Sequence, residues 1–196
     1  MTDTSLNPNA TIILKTAKDL FWKHGLRKIS VEEISKKAGI SKMTFYRNFK
    51  NKKEVAKVVL EELFTQSSND YKKIMQAENF NFPEKMAQLI ELKHQYVKNM
   101  SNDFITDLYH PSFAELMEDL EKQRAKSNRL IKRDFRKAQK EGFIRKELKI
   151  DFIMYMFEDI GKKAHDENLL KFYKNSSDLI MALMNFCFYG ISENKK

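Results

Sequence analysis

The chain has 196 residues, and its 36 Lys+Arg against 27 Asp+Glu give a formal net charge of +9. That length suits one compact domain or two small ones, and 42% hydrophobic with 32% charged residues excludes both a disordered tail and a membrane protein. Only 5 Gly and 3 Pro, beside abundant Leu, Lys, Glu, Met and Phe, lean the composition toward helix.

In chain order, residues 9 to about 24 place Ile13, Ala17, Leu20 and Phe21 at i, i+4, i+7 and i+8, a helical stripe that Gly25 ends. Ser30-Val31-Glu32-Glu33 has the S-x-x-E spacing of a capping box and opens a short helix to about Ala38. Gly39 stops it, Ile40 plugs the turn, and Ser41 caps a third short helix over 42–49. Asn51-Lys52-Lys53-Glu54 repeats the capping spacing and starts a helix running to Tyr71 or beyond. The pattern breaks over 78–82, and Pro83 fits the first turn of a helix to about Met100. A short helix near 103–109 stops at Pro111. Ser112-Phe113-Ala114-Glu115 offers a cap for a helix reaching Lys140, with Gly142 behind it. Two further helices cover about 148–165 and 176–189. No stretch alternates as a strand does, so the expected fold is all-α with about nine helices.

The charge is unevenly placed. Residues 1–53 hold 12 Lys/Arg and 4 Asp/Glu, a balance of +8, whereas residues 54–196 hold 24 and 23, a balance of +1. A basic module on a nearly neutral body is the footprint of a polyanion binder, or of a soluble protein with a lopsided surface. The basic run over 122–146, with 11 Lys/Arg against Asp134 and Glu141, reads as the solvated side of one helix.

Several functions are excluded in the same way. Cys187 stands alone, so no disulfide framework, thiolate metal cluster or redox pair is expected. His24, His94, His110 and His165 lack metal-ligand spacing, and no Gly-rich phosphate loop or acid/base pair is visible. No catalytic residue, metal or cofactor is expected, and the enzyme class is set aside. The N-terminus has no secretory pattern, and the apolar stretch 179–191 is too short to span a bilayer. A cytoplasmic location without a membrane partner is the expectation.

Residues 30–49 then carry the functional motif: two short helices joined by Ala38-Gly39-Ile40-Ser41, the grammar of a helix-turn-helix. Such a unit lays its second helix in the major groove. Here that helix is Lys42-Met43-Thr44-Phe45-Tyr46-Arg47-Asn48. Phe45 and Phe49 bury against Ile34, which leaves Lys42, Met43, Thr44, Tyr46, Arg47 and Asn48 outward for phosphate oxygens and base edges.

The run Ile29 to Ile34, then Ala38-Gly39-Ile40-Ser41-Lys42, then Thr44-Phe45-Tyr46-Arg47-Asn48-Phe49 and Asn51-Lys52 strongly resembles the tetracycline-repressor-like (TetR) family over about residues 9–64. The resemblance implies phosphate contacts from Thr44, Tyr46 and Lys52, a groove-facing position for Lys42 and Met43, and a backbone approach at Ser30. Ser41 joins this set, because a capping hydroxyl can also meet a phosphate. Taken alone, Lys52 also reads as a solvated helix-start lysine, and Ser30 and Ser41 as caps only. Met43 stands where the family often has a small residue, and Asn48 where it often has an aromatic one.

The resemblance further implies a DNA-binding domain over 1–52 and a helical ligand-binding and dimerisation domain over 53–196. The last two helices are apolar nearly all round, more than one buried face requires. A homodimer interface is therefore expected at Phe157, Ile160, Ile180, Leu183, Met184, Phe186 and Cys187. A pocket lined by Phe104, Tyr109, Phe113, Met117, Phe152, Tyr155 and Met156 is expected, although aromatic and Met residues at helical spacing equally describe plain core. The functional expectation is a repressor that binds a palindromic operator in double-stranded DNA as a homodimer and is released by an unidentified small apolar or amphipathic effector. The alternative is a helix-turn-helix architectural or division-type protein with no inducer.

Overall fold

The structure is a computed structural model that describes residues 7–193. Short polar side chains start most of its helices by accepting the first free backbone N–H groups. Asn7 caps α1 (Pro8–His24), Ser30 caps α2 (Val31–Ala38), Ser41 caps α3 (Lys42–Asn48) and Asn51 caps α4 (Lys52–Gln76). Asn81 caps α5 (Phe82–Val97) and Ser101 caps α6 (Asn102–Leu108). The long α7 (Ala114–Lys140) and α8 (Ile150–Lys163) begin without a side-chain cap, and α9 (Glu167–Leu170) and α10 (Ser176–Ile191) are capped by Asp166 and Asn175. The fold is all-α, with ten α-helices and one 3-10 turn among the described residues rather than about nine helices. The additional helix is α9, whose four residues are too short to show a period in the sequence.

One capping assignment changes. His110 Nδ1, not Ser112, accepts the backbone N–H, that of Ser112 at 3.2 Å, and this starts the 3-10 turn Pro111–Phe113. The fixed φ of Pro111 favours that tight turn ahead of α7. An isolated antiparallel bridge joins Ile144 to Ser192, and no strand forms among the described residues.

Two apolar clusters hold these helices. One runs from Ile13, Phe21, Ile34 and Phe45 through Val55 and Leu60 into Phe104, Leu120 and Ile160, so it joins the helix-turn-helix to the body. The other gathers Phe82, Met86, Phe135, Ile144, Ile153 and Phe188. Phe157 packs against both. Fully burying a Phe of this kind stabilises by roughly 1.5–3 kcal/mol.

The corner between α1 and α2 is held by charge as well as by packing. Gly25 takes φ +84°, and its N–H caps α1 through Phe21 O at 2.8 Å. Asp107 of α6, which is 1% exposed, accepts the Arg27 backbone N–H at 2.8 Å and Arg27 Nε at 2.5 Å. Lys52 Nζ donates to the carbonyls of Leu26 at 2.8 Å, Arg27 at 2.9 Å and Ile29 at 2.5 Å. Ser101 N donates to Trp22 O at 2.8 Å, and Lys28 pairs with Asp103 at 2.6 Å. A carboxylate thus takes the corner's donors, and an ammonium takes its acceptors.

A methyl group at Gly25 would lie 2.7 Å from Asp107 Oδ2 and 3.1 Å from Asp103 Cβ, at a backbone angle that disfavours any side chain. Gly25→Ala is expected to lower stability by about 1–3 kcal/mol in urea denaturation. An unchanged midpoint would show that the corner tolerates side chains and is not clamped.

Candidate nucleic-acid interface and cavity

The turn between α2 and α3 is built to aim the second helix. Gly39 adopts the left-handed conformation at φ 68°, and Ile40 N donates back to Ser35 O at 3.0 Å. Ser41 Oγ accepts Thr44 N at 3.0 Å and shares a 2.9 Å hydrogen bond with Thr44 Oγ1. Phe45 is fully buried and Phe49 nearly so, which fixes the rotation of α3. Tyr46 stands edge-on to Phe45 with ring centroids 5.5 Å apart and remains 55% exposed.

This arrangement sorts the nine expected DNA-binding residues. Ser41, Lys42, Met43, Tyr46 and Arg47 are exposed on one outer surface, with Met43 65% exposed. Arg47 Nη2 rests 3.5 Å from Met43 Sδ, so these two side chains form one patch. Lys42 pairs with Glu32, and this hydrogen bond holds the Glu32 carboxyl below its usual range. Thr44 is half-buried, and Asn48 turns back so that Nδ2 donates to Thr44 O at 2.7 Å. Ser30 is occupied by the capping box: its hydroxyl donates to Glu33 Oε2 at 2.9 Å and accepts Glu33 N at 3.2 Å.

Lys52 requires a correction. Its three donors are satisfied by three carbonyls of the α1–α2 corner, so it does not present a free ammonium to a phosphate. Burial pushes its pKa below the ordinary lysine value, against the pull of Asp107 and Glu33. The sequence could not reveal this, because the carbonyls lie 23 to 26 positions away in the chain. Asp107 was missed for the same reason: its partner Arg27 is 80 residues distant.

The basic excess of the first 53 residues is partly consumed inside the protein. Arg27 and Lys28 are paired with acids of α6, and Lys52 faces carbonyls. Lys36, Lys37, Arg47 and Lys50 are exposed and form no ion pair among the described residues. On α7, by contrast, Lys132 pairs with Asp151, Arg133 with Asp134 and Lys137 with Glu141, in keeping with a solvated face.

In the body, α4, α5, α7, α8 and α10 enclose a cavity of about 320 Å³, lined by residues such as Phe64, Tyr71, Leu89, Ile131 and Phe157. None of the seven expected pocket residues lines it. Phe104 and Phe113 are buried in the first core cluster, and Met117 packs against that cluster. Tyr109 stacks on His165 at 4.5 Å, an approach allowed by Gly161, where a Cβ would lie 2.4 Å from its hydroxyl. Phe152 and Tyr155 are 53% and 62% exposed, and Met156 lies outside the cavity. The reason is helical phase: Met154, Phe157 and Glu158 of α8 face inward, which turns Phe152 and Tyr155 to the opposite side.

The seven residues expected at a dimer interface divide within the single chain. Ile160 and Ile180 are core residues, while Phe157 and Met184 line the cavity. Leu183 and Cys187 are half-buried against the core, and burial raises the Cys187 thiol. Phe186 alone of the seven is exposed, at 79%. Phe152 and Tyr155 of α8 and Tyr189 of α10 are exposed as well. Among the described residues no group of His, Cys, Asp or Glu is placed to hold a metal, and no helix is long and apolar enough to cross a membrane.

Comparison with known proteins follows the same division. Residues 13–59 match the family model described as bacterial regulatory proteins, tetR family. No curated protein matches the chain by sequence. Among solved structures, the reduced form of NemR from E. coli superposes with a TM-score of 0.72 at 12% identity, over 96% of this chain and 99% of that one. FadR from Bacillus subtilis in complex with stearoyl-CoA gives 0.71 at 17%, over 92% and 98%. A transcriptional regulator from Saccharomonospora viridis in complex with choline gives 0.71 at 17%, over 94% and 98%. At these identities the likeness is one of fold.

Arg47→Ala is expected to lower the salt slope of DNA binding by about 1, as the loss of one phosphate contact does. Lys52→Met is expected to leave that slope unchanged and to cost about 2 kcal/mol in stability through unsatisfied carbonyls. A reduced slope in Lys52→Met would return Lys52 to the phosphate-binding set.

Proposed function

We propose that this chain, whose residues 13–59 match the family model of bacterial regulatory proteins, tetR family, is a transcriptional repressor that binds a palindromic operator as a homodimer and is released by a small molecule in its cavity. The observation that carries this reading is the outward patch of Met43, Tyr46 and Arg47 on α3, the second helix of a helix-turn-helix whose first helix follows a corner clamped to the body. A side chain reads a base edge only if its helix is held in register, and phosphate contacts from neighbouring cations supply most of the affinity. Lys42, which pairs with Glu32, and the unpaired Lys37 and Lys50 are exposed cations near that patch in sequence.

The exposed aromatics of α8 and α10 support a two-fold dimer. Phe152, Tyr155, Phe186 and Tyr189 are larger apolar side chains than a monomer leaves uncovered together. A self-complementary contact there would set two reading helices about 34–36 Å apart, or a multiple of that, to match two half-sites.

The cavity supports an effector-gated protein over an architectural one. Its wall includes Met184 and Phe188 of α10. The first turn of α10 is tied to α6, where Ser176 N donates to Asn102 Oδ1 at 2.9 Å. The same α6 carries Asp107 to the α1–α2 corner. A ligand that favours another position of α10 would therefore shift the population toward a different placement of α3.

Phe186→Asp is expected to give a monomer by sedimentation velocity while keeping helical content, because the side chain is 79% exposed. DNA affinity should fall by about 10²-fold or more, the gain that joining two binding modules ordinarily provides. A Phe186→Asp protein that remains dimeric, or a dimer-deficient one with undiminished affinity, would contradict the reading.

A further inference from the structure

The cavity is apolar at depth and cationic at its edge. Met86, Phe135, Met154 and Phe188 are buried and form its floor. Lys93 of α5 and Arg124 of α7 line the same space from the side that solvent reaches, the first exposed and the second half-buried. Most of the other polar groups of the wall are satisfied within the protein. Asn128 Nδ2 donates to Glu158 Oε1 at 2.6 Å, the Tyr71 hydroxyl to Asp134 at 3.2 Å and the Tyr96 hydroxyl to Asp70 at 2.6 Å.

The two cations are not satisfied in this way. Lys93 makes no hydrogen bond or ion pair among the described residues, and Arg124 reaches only the exposed Glu121, at 3.9 Å. Glu158 is the one carboxylate in the wall, and Asn128 already engages it. Although solvent reaches Lys93, the protein around it pushes its ammonium below the ordinary lysine value, and the like charge of Arg124 acts in the same direction. An anion placed between them would relieve that repulsion. A neutral ligand would leave it in place, and a cationic ligand would add to it.

We infer that the cavity takes an amphipathic monoanion, with an apolar chain on the Met86–Phe188 floor and a carboxylate head held by Lys93 and Arg124. This assignment rests on the cavity being the effector site. The relatives named above do not decide it, since one is described with stearoyl-CoA and another with choline. The volume, about 320 Å³, lies at the small end of ligand pockets, which span roughly 300–1,000 Å³.

The test uses the full chain and three probes that share one tail: dodecanoate, 1-dodecanol and dodecyltrimethylammonium, each below its micellar concentration. Calorimetric affinity and release of a selected DNA duplex are both measured. Dodecanoate is expected to bind at least about tenfold more tightly than the alcohol, the scale of one charge-assisted hydrogen bond, and the cation most weakly. Lys93→Met and Arg124→Gln should each remove most of that preference while leaving affinity for the alcohol unchanged. Equal or tighter binding of the alcohol or the cation, no binding of any probe, or equal losses for acid and alcohol in both variants, would overturn the inference. Dodecanoate that binds with this preference but leaves DNA bound would uphold the ligand class and count against effector gating. An alcohol or cation that binds best and releases DNA would do the reverse.

Discussion

The buried carboxylate of Asp107 holds the corner from which α2, the first helix of the helix-turn-helix, departs. A carboxylate this deep must be paired, and its partners are the backbone N–H and guanidinium of Arg27. The Lys52 ammonium closes the same corner from the other side by taking the carbonyls of Leu26, Arg27 and Ile29. Removing Asp107 leaves the Arg27 N–H without its partner, and removing Lys52 leaves the three carbonyls without theirs, so both groups hold the same short segment. Because Asp107 sits on α6 and Lys52 on α4, the corner is held by both halves of the chain at once.

This clamp changes the meaning of the basic N-terminal segment. A balance of +8 over residues 1–53 suggests a surface devoted to polyanion binding. The structure spends part of it on internal partners, with Arg27, Lys28 and Lys52 all committed to the corner. Of the cations left exposed, Lys36, Lys37, Arg47 and Lys50 lie near α3, while Lys15, Lys18 and Lys23 sit on α1. Net charge marked the module and overstated the number of cations left unpaired on its surface.

What the sequence made legible was local. The caps Ser30 and Ser41, Gly25 and Gly39, and the Phe45/Phe49 pair act over three or four residues, and each appears in the structure as the spacing suggests. What stayed hidden depended on partners far apart in the chain or on helical phase. Lys52 has one role if it faces outward and another if it faces a loop 25 residues earlier. The pocket residues fail for a different reason. On α8, Phe152, Tyr155 and Met156 look as suited to a cavity as Met154 and Phe157, and only the packing of α8 against α7 and α10 decides which face turns inward. The apolar surplus of α10 pointed to an interface, but Ile180 and Met184 belong to the core and cavity, and only its outer side is left for a partner.

Sequence reading by α3 is the property on which the functional assignment stands. It is measured most directly by selecting bound duplexes from a random-sequence pool, with the full chain and with its Met43→Ala and Arg47→Ala variants. A protein that reads DNA through this patch returns an inverted repeat, and each variant relaxes or changes the preferred base at one symmetric pair of positions, by roughly 1–3 kcal/mol per lost contact. A pool with no enriched repeat, or variants that enrich the same sequences as the parent, would contradict it.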